Sequence, residues 1–375
     1  MTDRIAYCDY NATTPVRPAA AAAVARALEV GGNPSSVHAS GRAAKATLEA
    51  ARDVVGKSVG ARPRDVVFTS GATEALHLAI DAARDHYGDL IVSEIEHDAL
   101  WEATRNADEM APLRVDADGV IDLAHLDELL EAANRPLVAI MLANNETGVI
   151  QPVAKAAARV REAGGLLLVD ASQAVGRIPV DVAALDATYL VLSSHKLGGP
   201  PGAGAVVLAA GAPYAITRNG GGQEQGRRPG TENVPAIAGL AAALEVDALA
   251  DRERIESLRD RFEQRLLQHH SDAVIFGSTA TRLPNTSLFA LPGAPAELAL
   301  IALDLEGVAL SSGAACSSGK VKASRVLAAM GVAPSLAKSA LRASFGWASS
   351  EDDVDRLIAA LDKVRARLGA LKGAA

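Results

Sequence analysis

The chain has 375 residues, a net charge of −8, and is 49% hydrophobic, 22% charged and only 3% aromatic. This length and apolar content suit two domains with large buried cores and exclude disorder. The acidic balance and the scarcity of aromatic rings speak against binding to nucleic acid or to an anionic membrane.

Residues 1–15 lack the apolar core of a signal peptide, and the longest apolar stretch, 234–246, is too short to span a bilayer, so a cytoplasmic location is expected. The two cysteines, Cys8 and Cys316, form neither a disulfide framework nor a CxxC pair, and no metal site is expected.

In chain order, residues 5–10 read as a strand that packs Cys8. Apolar runs follow at Val66–Thr69, Leu90–Ser93, 137–143, Leu166–Asp170, Tyr189–Ser193 and 205–209. Helical patterns lie between them, such as 73–84, where Leu76, Ala79, Ile80 and Ala83 share a face. Several runs are continuous rather than alternating, as in strands covered on both faces, and the strand–helix alternation implies a mainly parallel sheet. Beyond about residue 250 the texture changes. A charged helix at 251–268 carries Ile255, Leu258, Phe262 and Leu266 on one face. Strand-like runs at 273–276 and Thr286–Ala290, a helix at Ala296–Leu305 and an amphipathic helix at 351–371, N-capped by Ser349 or Ser350, complete the chain. The expected organisation is a large α/β domain over 16–250 and a smaller α+β domain made of 1–15 with 251–375.

Open parallel sheets bind ligands beyond the carboxyl ends of their strands. The strands here are followed by Ser70-Gly71-Ala72-Thr73-Glu74, by Glu96-His97, by Asn144-Asn145-Glu146, by Asp170 with Gln173, and by Ser194-His195-Lys196. A helix starting at Ala72 and Thr73 either offers free N–H groups to a phosphate or is simply capped. Asp170 ends a buried strand and needs a partner, either a protonated pyridine nitrogen or a structural arginine. Alone, Lys196 would be a solvated charge; near other cations and away from water its pKa falls and it can form a Schiff base. Arg342 stands in the otherwise apolar stretch 340–346, where it can bind a ligand carboxylate or form an internal salt bridge. Cys316 lies within nine small residues, 311–319, that gain little from packing, so an exposed and reactive thiol is expected there, whereas Cys8 reads as a packed, inert one.

The segments Asp9-Tyr10-Asn11-Ala12-Thr13-Thr14-Pro15, Gly32-Asn33-Pro34-Ser35-Ser36-Val37-His38, Thr69-Ser70-Gly71-Ala72-Thr73-Glu74, Asn144-Asn145-Glu146-Thr147-Gly148, Val169-Asp170-Ala171-Ser172-Gln173 and Ser194-His195-Lys196 together resemble the cysteine desulfurases. These are pyridoxal-phosphate (PLP) enzymes of the class V aminotransferase family, and the likeness runs from about Tyr7 to Leu371. The resemblance implies a PLP-dependent transferase of the aspartate aminotransferase-like fold type I. It implies that Lys196 attaches the cofactor covalently, Asp170 pairs with the pyridine nitrogen and Gln173 bonds the ring hydroxyl. His97 would stack on the ring and move protons. Ala72, Thr73, Ser193 and His195 would hold the phosphate, and Thr231 would reach the phosphate of the other subunit of a homodimer. Asn145 and Arg342 would bind the substrate carboxylate, with Asn145 also beside the cofactor. Cys316 would be the sulfur-accepting nucleophile. The implied reaction converts L-cysteine to L-alanine and a Cys316 persulfide, whose sulfur passes to an iron–sulfur scaffold or another acceptor. The rival readings are a selenocysteine lyase or other class V PLP enzyme, and a non-catalytic docking platform in iron–sulfur assembly.

Overall fold

The apolar runs between residues 66 and 208 come together as one sheet because each is buried on both faces. The computed structural model describes residues 5–104, 110–216, 218–247, 249–312 and 323–373. Its strands are β1 (Ala6–Tyr7), β2 (Val66–Thr69), β3 (Leu90–Ser93), β4 (Met110–Leu113), β5 (Leu137–Met141), β6 (Leu166–Asp170), β7 (Tyr189–Ser193), β8 (Gly204–Leu208), β9 (Val274–Ile275), β10 (Thr286–Ala290), β11 (Val308–Ala309) and β12 (Ala340–Ser344).

Seven of them form one sheet in the order β2-β8-β7-β6-β5-β3-β4. The strands from β7 through β6, β5 and β3 to β4 are mutually parallel, while β8 runs antiparallel to both β7 and β2. Alternate residues serve two cores, as the period of a strand requires. Val138, Ile140, Val169, Leu190 and Leu192 face one core, packed by the helices Pro18–Val30, Ala39–Ser58, Val153–Glu162 and Val234–Glu245. Leu137, Ala139, Leu168, Tyr189 and Val191 face the other, packed by the helix Ala72–Ala83. Truncating one of these buried leucines to alanine would cost about 2–5 kcal/mol.

The run at 137–143 ends as a strand at Met141, because the Leu142 N–H turns to the Asp170 carbonyl and Ala143 bridges to Ile150. The last run of the sheet is displaced by one residue, to Gly204–Leu208. A Cβ at Gly204 would lie 2.7 Å from the backbone of Gly71, so only glycine lets β8 begin against the turn that follows β2.

The remaining strands make a second region. β10 pairs antiparallel with β12 and β9, and β1 pairs parallel with β11. The helices Arg252–His269, Ala296–Leu305 and Glu351–Gly373 cover it, with Phe262 edge-on to Phe289 at 5.2 Å and to Phe345 at 6.0 Å. Cys8 is buried in this core beside Ala6 from β1, and burial pushes its thiol pKa up. Thus the first residues of the chain pack with the last hundred or so. Among the described residues no helix is long and apolar enough to cross a membrane.

Candidate active site

The turns after β2, β3, β5, β6 and β7 line a cavity of about 690 Å³. Ten of the twelve site residues inferred from the sequence border it: Ala72, Thr73, His97, Asn145, Asp170, Gln173, Ser193, His195, Lys196 and Arg342. Thr231 does not; it is exposed on the segment that leads into the helix Val234–Glu245. Cys316 lies outside the described residues, although Leu310 and Ser311, which precede its segment, border the cavity.

At the anion end, the helix Ala72–Ala83 starts directly after the Ser70-Gly71 turn, and its N-cap Gly71 contributes no side-chain acceptor. The first amides of a helix have no intrahelical partner and favour negative charge. The turn is held by Glu74, which accepts from the Ser70 N–H at 2.6 Å and from Arg228 at 2.9 Å. Burial alone would raise the Glu74 pKa, but these bonds outweigh it and hold it at about 2. His195 is neutral near pH 7, because burial and then the charges of Lys196 and Arg177 pull its pKa down to about 4. It offers an anion one N–H and no charge.

Lys196 ends the single helical turn Ser194–Lys196 after β7. Its Nζ donates to the carbonyls of Asn11 at 2.7 Å and Ala12 at 2.9 Å. Burial, then the cations Arg342 and Arg177, lower its pKa from 10.5 to about 8, against the opposing pull of Asp170 and Asp9. Roughly a tenth of the amine is therefore free base at pH 7, far more than for a solvated lysine.

Asp170 is buried at the end of β6, with Oδ1 accepting from the Ser172 N–H at 2.9 Å. Among the described residues no cationic side chain forms an ion pair with it, so the structural-arginine alternative is not realised. A buried carboxylate in this state calls for a positively charged ligand atom. Behind it, Glu96 is buried with Oε1 accepting from the Met141 N–H at 2.5 Å and Oε2 unpartnered. Burial, then the Asp170 charge, push the Glu96 pKa up to about 8, so the Glu96 carboxyl holds a proton at neutral pH.

His97 precedes the helix Asp98–Thr104, and its Nδ1 accepts from the Ala99 N–H at 3.0 Å. The neutral ring therefore carries its proton on Nε2. Burial, opposed by Asp170 and reinforced by Lys196, lowers its pKa. Gln173 donates from Nε2 to the Asn11 carbonyl at 3.0 Å, and its Oε1 accepts from Arg177.

Arg342 projects from β12 and is buried. It does form the internal salt bridge considered from the sequence: Nη2 meets Asp9 Oδ1 at 2.7 Å, while Nη1 donates to the Asn145 carbonyl at 2.8 Å and Nε is buried without a partner. Asn145 is presented by a turn tied by Asn144, whose Oδ1 accepts from the N–H groups of Glu146 and Thr147, both at 2.9 Å. Asn144 is thus structural.

Three participants were not inferred from the sequence: Asp9, Glu96 and Arg177. Asp9 and Glu96 lie in quoted motifs but carry no periodic signal. Arg177 stands four residues after Gln173, a spacing that would have brought the two together on one helical turn. His38, without an assigned role, caps the helix Ala39–Ser58 by accepting from the Gly41 N–H. His270 is buried, with Nε2 3.2 Å from Asp362 Oδ1.

Residues 6–357 match the family described as Aminotransferase class-V. The chain is 37% identical to an IscS-like cysteine desulfurase of Mycobacterium tuberculosis, with 99% of each chain covered. It is 39% identical to a cysteine desulfurase of Cereibacter sphaeroides, with 97% of each covered. The structure resembles that of a NifS-like protein from Rickettsia africae with a TM-score of 0.90, at 32% identity, covering 97% of this chain and 100% of the other. The cavity at the strand ends, the likeness over the full length and the family match agree: the chain belongs to the class V aminotransferase family, in its cysteine desulfurase branch.

Proposed function

We propose that this chain is a PLP-dependent cysteine desulfurase that acts on L-cysteine as a cytoplasmic homodimer. One observation carries the reading. A lysine of lowered pKa, a buried carboxylate that no cationic side chain among the described residues pairs with, and a buried guanidinium border the same cavity as a helix N-terminus. Those groups fit an aldehyde, a pyridine nitrogen, a substrate carboxylate and a phosphate respectively. Bound PLP supplies an electron-withdrawing ring that accepts the electron pair left when the substrate Cα loses its proton.

The chain's own residues do the rest. Arg342 and Asn145 orient the substrate carboxylate. The Lys196 amine would attach the cofactor and, as a free amine, would take the Cα proton at Nζ. Asp170 would pair with the ring nitrogen, and the protonated Glu96 adds no second negative charge beside it. His97 presents Nε2–H to the cavity. The Cys316 thiolate forms a bond to the substrate sulfur as the carbon–sulfur bond breaks. The electron pair of that bond stays with the substrate carbon, which gains a proton, and the products are L-alanine and a Cys316 persulfide. An iron–sulfur scaffold or another thiol acceptor then takes the sulfur. Thr231 serves the neighbouring subunit's phosphate. We assign the cofactor to the large unit, 16–250, and Arg342 with the Cys316 segment to the small one, 1–15 with 251–375.

The test is incubation with L-cysteine, measuring alanine and sulfide with and without a reductant. Stoichiometric alanine with sulfide released only under reduction is expected. No alanine would favour the docking platform, and alanine formed only from L-selenocysteine would favour the lyase.

A further inference from the structure

The turn after β6 carries a cation that the roles above leave unused. Arg177 is half-buried, and its guanidinium bonds four oxygens. Nη1 donates to the Gln173 carbonyl at 2.8 Å and to the Gln173 side-chain Oε1. Nη2 donates to the Lys196 carbonyl at 3.1 Å and to the Tyr10 carbonyl at 3.3 Å. One side chain thereby gathers the three segments that place Gln173, Lys196 and Asn11 at the cavity.

The consequence lies in the Gln173 amide. An amide has an acceptor at one end and donors at the other. With Oε1 engaged by Arg177, only Nε2 is left to face the cavity wall, where it donates to the Asn11 carbonyl. Turning the amide over would set its N–H groups against the guanidinium and leave both sets of donors without an acceptor.

We propose that Arg177 is a positioning residue that locks the Gln173 amide so that it offers only N–H to the cofactor's ring hydroxyl, thereby selecting that oxygen in its ionised form. The proposal rests on reading the cavity as a PLP site. An N–H donor stabilises an oxyanion, whereas a protonated hydroxyl would seek an acceptor that the locked amide withholds. The charged groups facing Lys196 are Arg342, Arg177, Asp170 and Asp9, with His97 and His195 on the adjoining turns. Among the described residues, only Arg177 of these bonds the Gln173 side chain.

The experiment is a spectrophotometric pH titration of the visible band of the lysine-bound cofactor in the holoenzyme. Arg177→Met and Gln173→Ala should each raise the midpoint by about one pH unit, a tenfold gain in proton affinity. The double variant should show no larger shift than Gln173→Ala alone. An unmoved midpoint in Arg177→Met overturns the proposal. So does a shift that persists in full on the Gln173→Ala background, because it would then come from the Arg177 charge acting through space. Should Arg177→Met fail to fold, Gln173→Glu keeps a partner for Arg177 but replaces the inward N–H by oxygen. Its midpoint should rise by more than a unit, and a native midpoint would overturn the proposal. A native chain that shows no such band with PLP overturns the cofactor reading itself, and this inference with it.

Discussion

Asp9 and Arg342 are joined across 333 positions of sequence by an ion pair of 2.7 Å at the edge of the cavity. The pair holds the guanidinium in one orientation but also spends part of its charge on a protein carboxylate. A substrate carboxylate must share that cation. Asp9→Asn keeps an acceptor for Nη2 and removes the competing charge, so KM for L-cysteine should fall about two- to fivefold with kcat nearly unchanged. Steady-state kinetics of alanine formation would check this, and a raised KM would mean that the charge of Asp9, not its shape, orients Arg342.

The lowered pKa of Lys196 has a stability signature. From about pH 8, its folded value, to 10.5 the unfolded chain binds more protons at this site than the folded one, so stability from this group rises with pH over that window. Below pH 8 both forms are protonated and the penalty is constant. Replacing Lys196 by Met removes the gain. The stability difference, variant minus native, should therefore decline between pH 7 and pH 10 by on the order of 1–3 kcal/mol. Urea unfolding of the cofactor-free proteins at the two pH values is the measurement; equal pH dependence would reject the assigned shift.

Thr231 is exposed and away from its own subunit's cavity. If it completes the neighbour's site, mixing Lys196→Ala with Thr231→Ala subunits should restore one intact site per hybrid dimer. Random exchange would then return about a quarter of native activity. Hybrids that form, as seen by native mass spectrometry, yet stay inactive would place Thr231 in its own subunit's site.

The two thiols should behave oppositely. Cys8 is buried with its ionisation suppressed, so it is a poor nucleophile. After treatment with L-cysteine, intact mass should show one added sulfur in the native chain and in Cys8→Ser, and none in Cys316→Ser. Sulfur release at the native rate from Cys316→Ser would replace the persulfide route by direct elimination.

Much of the sheet was legible in the sequence. β2, β3, β6, β7 and β10 were bounded to the residue, because strands buried on both faces leave continuous apolar runs that stop where polar turns begin. The same stops marked the site, since Asp170 is the last residue of its strand and Lys196 and His97 follow strand ends. β4 left no such run: it is the edge strand Met-Ala-Pro-Leu, only partly buried, and a proline is tolerated there because one side of the strand needs no ladder bond.

Local pattern alone thus determined most strands of the large sheet and which side chains stand at their ends. It could not determine which strands are neighbours. The insertion of β8 antiparallel between β2 and β7, the pairing of β1 with β11, and the placement of Arg342 beside Asp9 were decided only by the closed tertiary structure. The same holds for Arg177, whose bonds reach 167 positions back to Tyr10 and 19 forward to Lys196. The physical reason is that periodicity reports how much of a segment is hidden from water, whereas the partner of a buried charge is whatever the folded chain brings within hydrogen-bond distance, however remote in sequence.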